Sequence, residues 1–297
     1  MKELKGLGTA LITPFRADKS VDYEALARLL DTQLTGHVDY IVVLGTTGEA
    51  ATMSEDEKAQ VRQFIVDYVS QKPMVNSQKP LPLVLGVGGN NTAAVCESLR
   101  TIDFSGFCAV LSVCPYYNKP NQEGLFQHFC AIAEASPIPV ILYNVPGRTG
   151  VNLLPETVMR IWEAHPNKIV GIKEASGNLE QIKRLIALSQ ESRVKSQEPL
   201  LVISGDDGIA CEVMEAGGAG LISVASNAFP EDFWHIVHDK DRALQAKYAE
   251  MVRLLFAEGN PVGIKAVLAQ KGIIQNFLRL PLVPASKELG NQIADIL

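Results

Sequence analysis

The chain is 297 residues long, 47% hydrophobic and 20% charged, with a formal net charge of −6. This length and apolar share supply a large core, suit an α/β barrel carrying an appendage, and exclude an intrinsically disordered chain. No basic stripe points to nucleic acid, and the opening "MKELKGLGTALITPF" is too weakly apolar for a signal peptide or membrane span, so a soluble cytoplasmic protein is expected.

The first predicted strand is "GTALITP" (8–14), followed by "YIVVLGTTGE" (40–49). "SEDEKAQVRQFIVDYVSQ" (54–71) then reads as an amphipathic helix opened by a capping box, Ser54-x-x-Glu57. The proline-dotted "SQKPMVNSQKPLP" (70–82) reads as a surface loop. Further apolar runs follow at "LPLVLGVGGN" (81–90), "GFCAVLSVCPYY" (106–117) and "IPVILYNVPGRTG" (138–150). The last three are "KIVGIKEASG" (168–177), "LLVISGDDG" (200–208) and "GAGLISVASN" (218–227). None alternates between polar and apolar residues, as expected of parallel strands covered on both faces.

Eight such strands separated by helical stretches predict a (β/α)8 TIM barrel over 1–229. The alternative, a doubly wound open sheet, normally carries a glycine-rich phosphate loop after its first strand, and "ALITPFRADKS" is not one. From Pro230 the strand pattern stops. Segments 231–256, 261–272 and 285–297 read as a C-terminal three-helix appendage occupying 230–297.

The five cysteines (Cys96, Cys108, Cys114, Cys130, Cys211) are scattered and form no CxxC pair, which suits reduced thiols rather than a disulfide framework or zinc site. His235 and His238 share a helix face without a third ligand, and adjacent Asp206 and Asp207 suit a loop or helix cap. No metal is expected.

In a parallel barrel, reactive groups gather where strands end and βα loops begin. Lys173 stands directly after the apolar Ile169–Ile172 run. It either snorkels to solvent, pairs with Glu174, or serves as an amine nucleophile, since burial disfavours the ammonium. A neutral amine attacks a ketone to form a Schiff base, an electron sink for making or breaking a carbon–carbon bond. Such chemistry needs a proton shuttle, and Tyr143 on the preceding strand can provide one; its ordinary reading is a packing residue. Thr46, Thr47 and Tyr117 offer further hydroxyls, although Tyr116 and Tyr117 suit an interface equally well. "GTTGE" (45–49) reads both as a helix N-cap and as a carboxylate-binding turn. Arg148, in a loop after the fifth strand, suits a bidentate grip on a second carboxylate.

Together "GTTGEAAT", "PYYNKP", "YNVPGRTG", "GIKEASGN" and "ISGDD" resemble, in identity and in order, the dihydrodipicolinate synthase family of pyruvate-dependent class I aldolases. The resemblance implies that Lys173 forms an imine with pyruvate and that the derived enamine adds to L-aspartate-4-semialdehyde, in lysine and diaminopimelate biosynthesis. It implies a proton relay from Tyr143 through Thr46 to Tyr117, the last supplied across a subunit interface of a homotetramer. Thr47, with backbone around Gly205 and Ile222, is implied to bind the pyruvate carboxylate, and Arg148 the semialdehyde carboxylate. No cofactor is implied. A sister aldolase acting on N-acetylneuraminate or a keto-deoxy sugar acid would retain Lys173 and Tyr143, but Arg148 and Tyr117 favour the synthase. A non-catalytic paralogue should have lost one of the pair. In lysine-inhibited members the end product binds near the "GTTGE" turn; the matching positions here are Ala50, Glu55, Lys58 and Ala94, with Asn90 and Tyr116 retained.

Overall fold

The computed structural model describes residues 2–72, 80–191 and 198–297, so most of the loop expected at 70–82 lies outside the described residues. Its strands are β1 (Gly6–Ala10), β2 (Tyr40–Val43), β3 (Leu83–Gly86), β4 (Ala109–Val113), β5 (Val140–Asn144), β6 (Ile169–Glu174), β7 (Leu201–Ser204) and β8 (Gly220–Ser223). They follow one another in chain order and close into a barrel, as the apolar runs predict.

Helices alternate with them: α1 (Tyr23–Thr35), α2 (Glu55–Ser70), α3 (Thr92–Thr101), α4 (Gln122–Ala135), α5 (Pro146–Thr149), α6 (Pro155–Ala164), α7 (Leu179–Glu191) and α8 (Ala210–Glu215). Past the barrel come α9 (Pro230–His238), α10 (Arg242–Ala257), α11 (Val262–Gln270) and α12 (Lys287–Ile296). The segment expected as one helix from 231 to 256 is therefore two. Lys240 takes a left-handed φ of 55° and Asp241 starts a new helix by accepting from the Leu244 N–H. The expected capping box opens α2, with Ser54 and Glu57 satisfying each other's backbone N–H groups.

The chain divides into two compact units, one comprising 1–5 with 84–222 and the other 6–83 with 223–297. In the first, β4, β5, β6 and β7 pair in parallel, the β5–β6 register shifting once between Val140 and Ile141 before it sets Tyr143 opposite Lys173, and Lys173 lies opposite Ile203. Gly171 keeps β6 close to β7, since a Cβ there would fall 2.8 Å from the Leu201 carbonyl oxygen. In the second unit, Asn227 ties the chain after β8 to the end of β1, donating to the Ala10 carbonyl at 2.8 Å and accepting from Ile12 N at 3.0 Å. Among the described residues no helix is long and apolar enough to cross a membrane.

Candidate active site

Side chains alternate along a strand, so adjacent Lys173 and Glu174 leave β6 on opposite faces. Glu174 is fully buried, and its carboxylate accepts from Asn144 Nδ2 at 2.9 Å, Ser176 N at 2.8 Å and Gln181 Nε2 at 3.1 Å. Four donor contacts from neutral groups of β5, the β6 loop and α7 satisfy it, and it is not the counterion of Lys173. Asn144 also accepts from Leu153 N at 2.9 Å, and Asn152 joins the same network through Asn144 and Gln181. These bonds lock the ends of β5 and β6 together and hold the residues just before them in register.

Those residues are Tyr143 and Lys173. Both are buried, 7% and 5% exposed, and the Lys173 Nζ lies 4.7 Å from the centre of the Tyr143 ring. Neither snorkelling nor pairing with Glu174 describes this lysine. Gly205, at the end of β7, supplies its space: a Cβ there would stand 2.9 Å from the Lys173 Cε and 2.6 Å from the Ala175 Cβ. The Gly205 N–H is already committed to the Glu174 carbonyl at 2.8 Å, so what this glycine contributes is room for the lysine stem. Ile222 is fully buried on β8. Cys114, directly after β4, is buried; burial, reinforced by the Glu174 carboxylate, pushes its thiol far up and keeps it protonated.

Arg148 is exposed on α5, a single helical turn closed by Gly150 at a left-handed φ of 75°. Tyr116 and Tyr117 follow β4. Asn90 fixes this turn from both sides, donating to the Tyr116 carbonyl at 3.2 Å and accepting from Asn118 Nδ2 at 2.9 Å. Tyr117 is 87% exposed at φ 73°, so its ring is not packed within its own chain.

Thr46 and Thr47 belong to the other unit, in a 3-10 turn directly after β2. Thr46 is exposed; Thr47 is buried, and its Oγ1 accepts from Asn260 Nδ2 at 2.9 Å. The turn continues through Glu49, which is left-handed at φ 54° and begins a second 3-10 turn, Ala50–Thr52. Glu49 forms a fully buried ion pair with Lys265 of α11. Burial draws the Lys265 ammonium down to about 8, with Glu49 opposing the shift. The sequence reading missed Asn260 and Lys265, and placed Glu49 among the polar strand-end residues without a partner.

The remaining candidates resolve into structural roles. Asp206 accepts from the Gly208 N–H at 2.9 Å and so caps the turn after β7. His235 and His238 pair with Asp239 at 2.6 Å and Asp39 at 2.7 Å.

A profile of the dihydrodipicolinate synthetase family matches residues 3–297. The chain is 48% identical to a 4-hydroxy-tetrahydrodipicolinate synthase of Flavobacterium psychrophilum, over 99% of this chain and 97% of that protein. Among solved structures it resembles dihydrodipicolinate synthase from Thermotoga maritima, with TM-score 0.90 and 38% identity over 98% of this chain and 97% of the other. It matches equally well, at TM-score 0.90 and 38% identity over 99% and 96%, a structure described as a monomeric dihydrodipicolinate synthase variant.

Proposed function

The chain belongs to the dihydrodipicolinate synthetase family, and on that premise we propose that it condenses pyruvate with L-aspartate-4-semialdehyde through an imine on Lys173. The observation that carries this reading is the buried Lys173 amine beside Tyr143, with its neighbouring carboxylate turned away and fully satisfied.

The Lys173 Nζ attacks C2 of pyruvate; a C–N bond forms, and the ketone oxygen leaves as water once two protons reach it. Loss of a C3 proton converts the imine to an enamine. Its C3 adds to the semialdehyde carbon, and the new alkoxide takes up a proton. The amino group of the condensed substrate then attacks C2, closes the ring and displaces the lysine. Tyr143 is the proton donor and acceptor in these steps, because its hydroxyl is the acid–base group carried by the strand beside Lys173. Thr47 receives the pyruvate carboxylate, with backbone around Gly205 and Ile222, while Arg148 takes the carboxylate of the second substrate from its exposed loop. The lysine is itself the electron sink, so no cofactor enters the scheme.

Tyr117 completes the relay through Thr46 from a neighbouring copy. An aromatic ring left 87% exposed on a turn held by Asn90 suits insertion into a partner rather than packing at home. The assembly that supplies it is a homotetramer built from dimers, acting in the cytoplasm. Sedimentation velocity on the wild type and on Tyr117→Ala tests the assembly. Coupled assays with pyruvate and each candidate aldehyde test the reaction: turnover with aspartate semialdehyde supports it, and efficient cleavage of N-acetylneuraminate instead overturns it.

A further inference from the structure

The turn bearing Thr46 and Thr47 is held by one element of the C-terminal helical segment at two points. Asn260, two residues before α11, donates to Thr47 Oγ1 at 2.9 Å. Lys265, one turn into the same helix, pairs with Glu49 two residues further along the turn. The Glu49 carboxylate also accepts from Arg279 N at 3.2 Å. Lys265 spends another donor on the Phe277 carbonyl at 3.0 Å and lies 4.2 Å from the centre of the Phe15 ring, which the Arg279 guanidinium also covers at 4.4 Å.

Such a pair is a poor way to gain stability. Desolvating two charges cancels much of their attraction, and well-packed apolar replacements are often as stable or more so. A left-handed backbone at a residue bearing a Cβ adds a cost of about 1–2 kcal/mol. What the pair does provide is a fixed position. Glu49 accepts from Lys265 and the Arg279 N–H through its side chain and bonds Thr46 and Thr52 through its backbone, so anchoring its carboxylate fixes both flanking 3-10 turns. Asn260 adds direction: a hydroxyl that accepts from an amide aims its own proton elsewhere, leaving Thr47 a donor to a carboxylate.

We propose that Lys265 and Glu49 are positioning residues for pyruvate binding, acting with Asn260 to hold the Thr47 hydroxyl toward the substrate carboxylate. The inference rests on the assignment of that carboxylate to Thr47.

Steady-state kinetics and thermal midpoints of Lys265→Met, Glu49→Gln/Lys265→Met, Thr47→Val and Lys265→Met/Thr47→Val test it. The expected result for Lys265→Met is a rise of about three- to tenfold in pyruvate KM, the scale of one hydrogen bond, with kcat and the semialdehyde KM nearly unchanged. The charge-free Glu49→Gln/Lys265→Met variant regains the wild-type thermal midpoint yet keeps the raised KM. In the Thr47→Val background, Lys265→Met adds little further, because both act through one hydroxyl. Recovery of KM together with thermal stability, or a wild-type KM in folded Lys265→Met, shows the pair to be structural only. An unchanged pyruvate KM in Thr47→Val removes the threonine assignment itself, and the proposal with it.

Discussion

Lys173 and Tyr143 occupy opposed positions of the parallel β5–β6 ladder, with the lysine Nζ 4.7 Å from the tyrosine ring centre and both side chains buried. The relationship is set by backbone register and reinforced behind the sheet by the Asn144–Glu174–Gln181 bonds. It gives Tyr143→Phe a clear expectation, since the change keeps the ring and deletes only the hydroxyl. Turnover should fall by about a hundred- to ten-thousandfold, the usual value of a general acid–base group, with the circular dichroism spectrum and thermal midpoint retained. Near-wild-type turnover would make Tyr143 a packing residue.

A variant at Arg148 is expected to separate the two substrates. Arg148→Ala should raise the KM for aspartate semialdehyde far more than that for pyruvate, because only the second carboxylate is assigned to the exposed loop after β5. Equal increases for both substrates argue against that assignment.

Feedback by L-lysine should be weak or absent. Ala94 offers no charged or polar side chain to an ammonium, and Glu55, at another of the matching positions, pairs with Lys58 at 2.8 Å. A missing charge-assisted hydrogen bond costs about 1.5–3 kcal/mol, or roughly ten- to a hundredfold in affinity. Titration of the activity with L-lysine checks this, and potent submillimolar inhibition counts against it.

Acid stability should depend on Glu57. Its carboxylate accepts from Arg279 Nη1 at 2.9 Å, and the Arg279 guanidinium holds it down to about 2, below the usual 4.5. The folded state thus keeps Glu57 charged where the unfolded chain binds a proton. The resulting stability is present above about pH 4.5 and is lost as pH falls toward 2. Glu57→Gln preserves a side-chain acceptor for the Ser54 cap and should lower the thermal midpoint at pH 7 by about 2–4 °C, for a loss of about 1 kcal/mol. The difference from wild type should shrink through acid pH; a constant difference down to pH 2 assigns the loss to packing.

The tetrapeptide Val-Gly-Ile-Lys occurs twice, at 170–173 and 262–265, and shows how far the sequence alone can be read. Both lysines end apolar runs and both are buried. Lys173 stood out as a candidate nucleophile because it ends a barrel strand next to one bearing Tyr143, within motifs of fixed order. Lys265 was not, because its meaning lies in a carboxylate 216 residues away, and helix periodicity carries no record of such a partner. The Asn260–Thr47 bond, spanning 213 residues, was hidden for the same reason. Glu174 was misjudged as a possible counterion because adjacency in sequence means opposite faces in a strand. The barrel itself was readable throughout, since each buried parallel strand leaves a local apolar signature. The α9–α10 break was not, as it turns on one left-handed residue and one aspartate cap inside a continuous helical pattern.

The central claim is that Lys173, and not the fully buried Lys265, forms the imine. Incubation with pyruvate, reduction with borohydride and peptide mass spectrometry test it most directly. The expected outcome is one adduct with the mass of a reduced pyruvyl imine on Lys173, absent from a folded Lys173→Ala variant. An adduct on Lys265 or any other lysine, with Lys173 unmodified, contradicts the account.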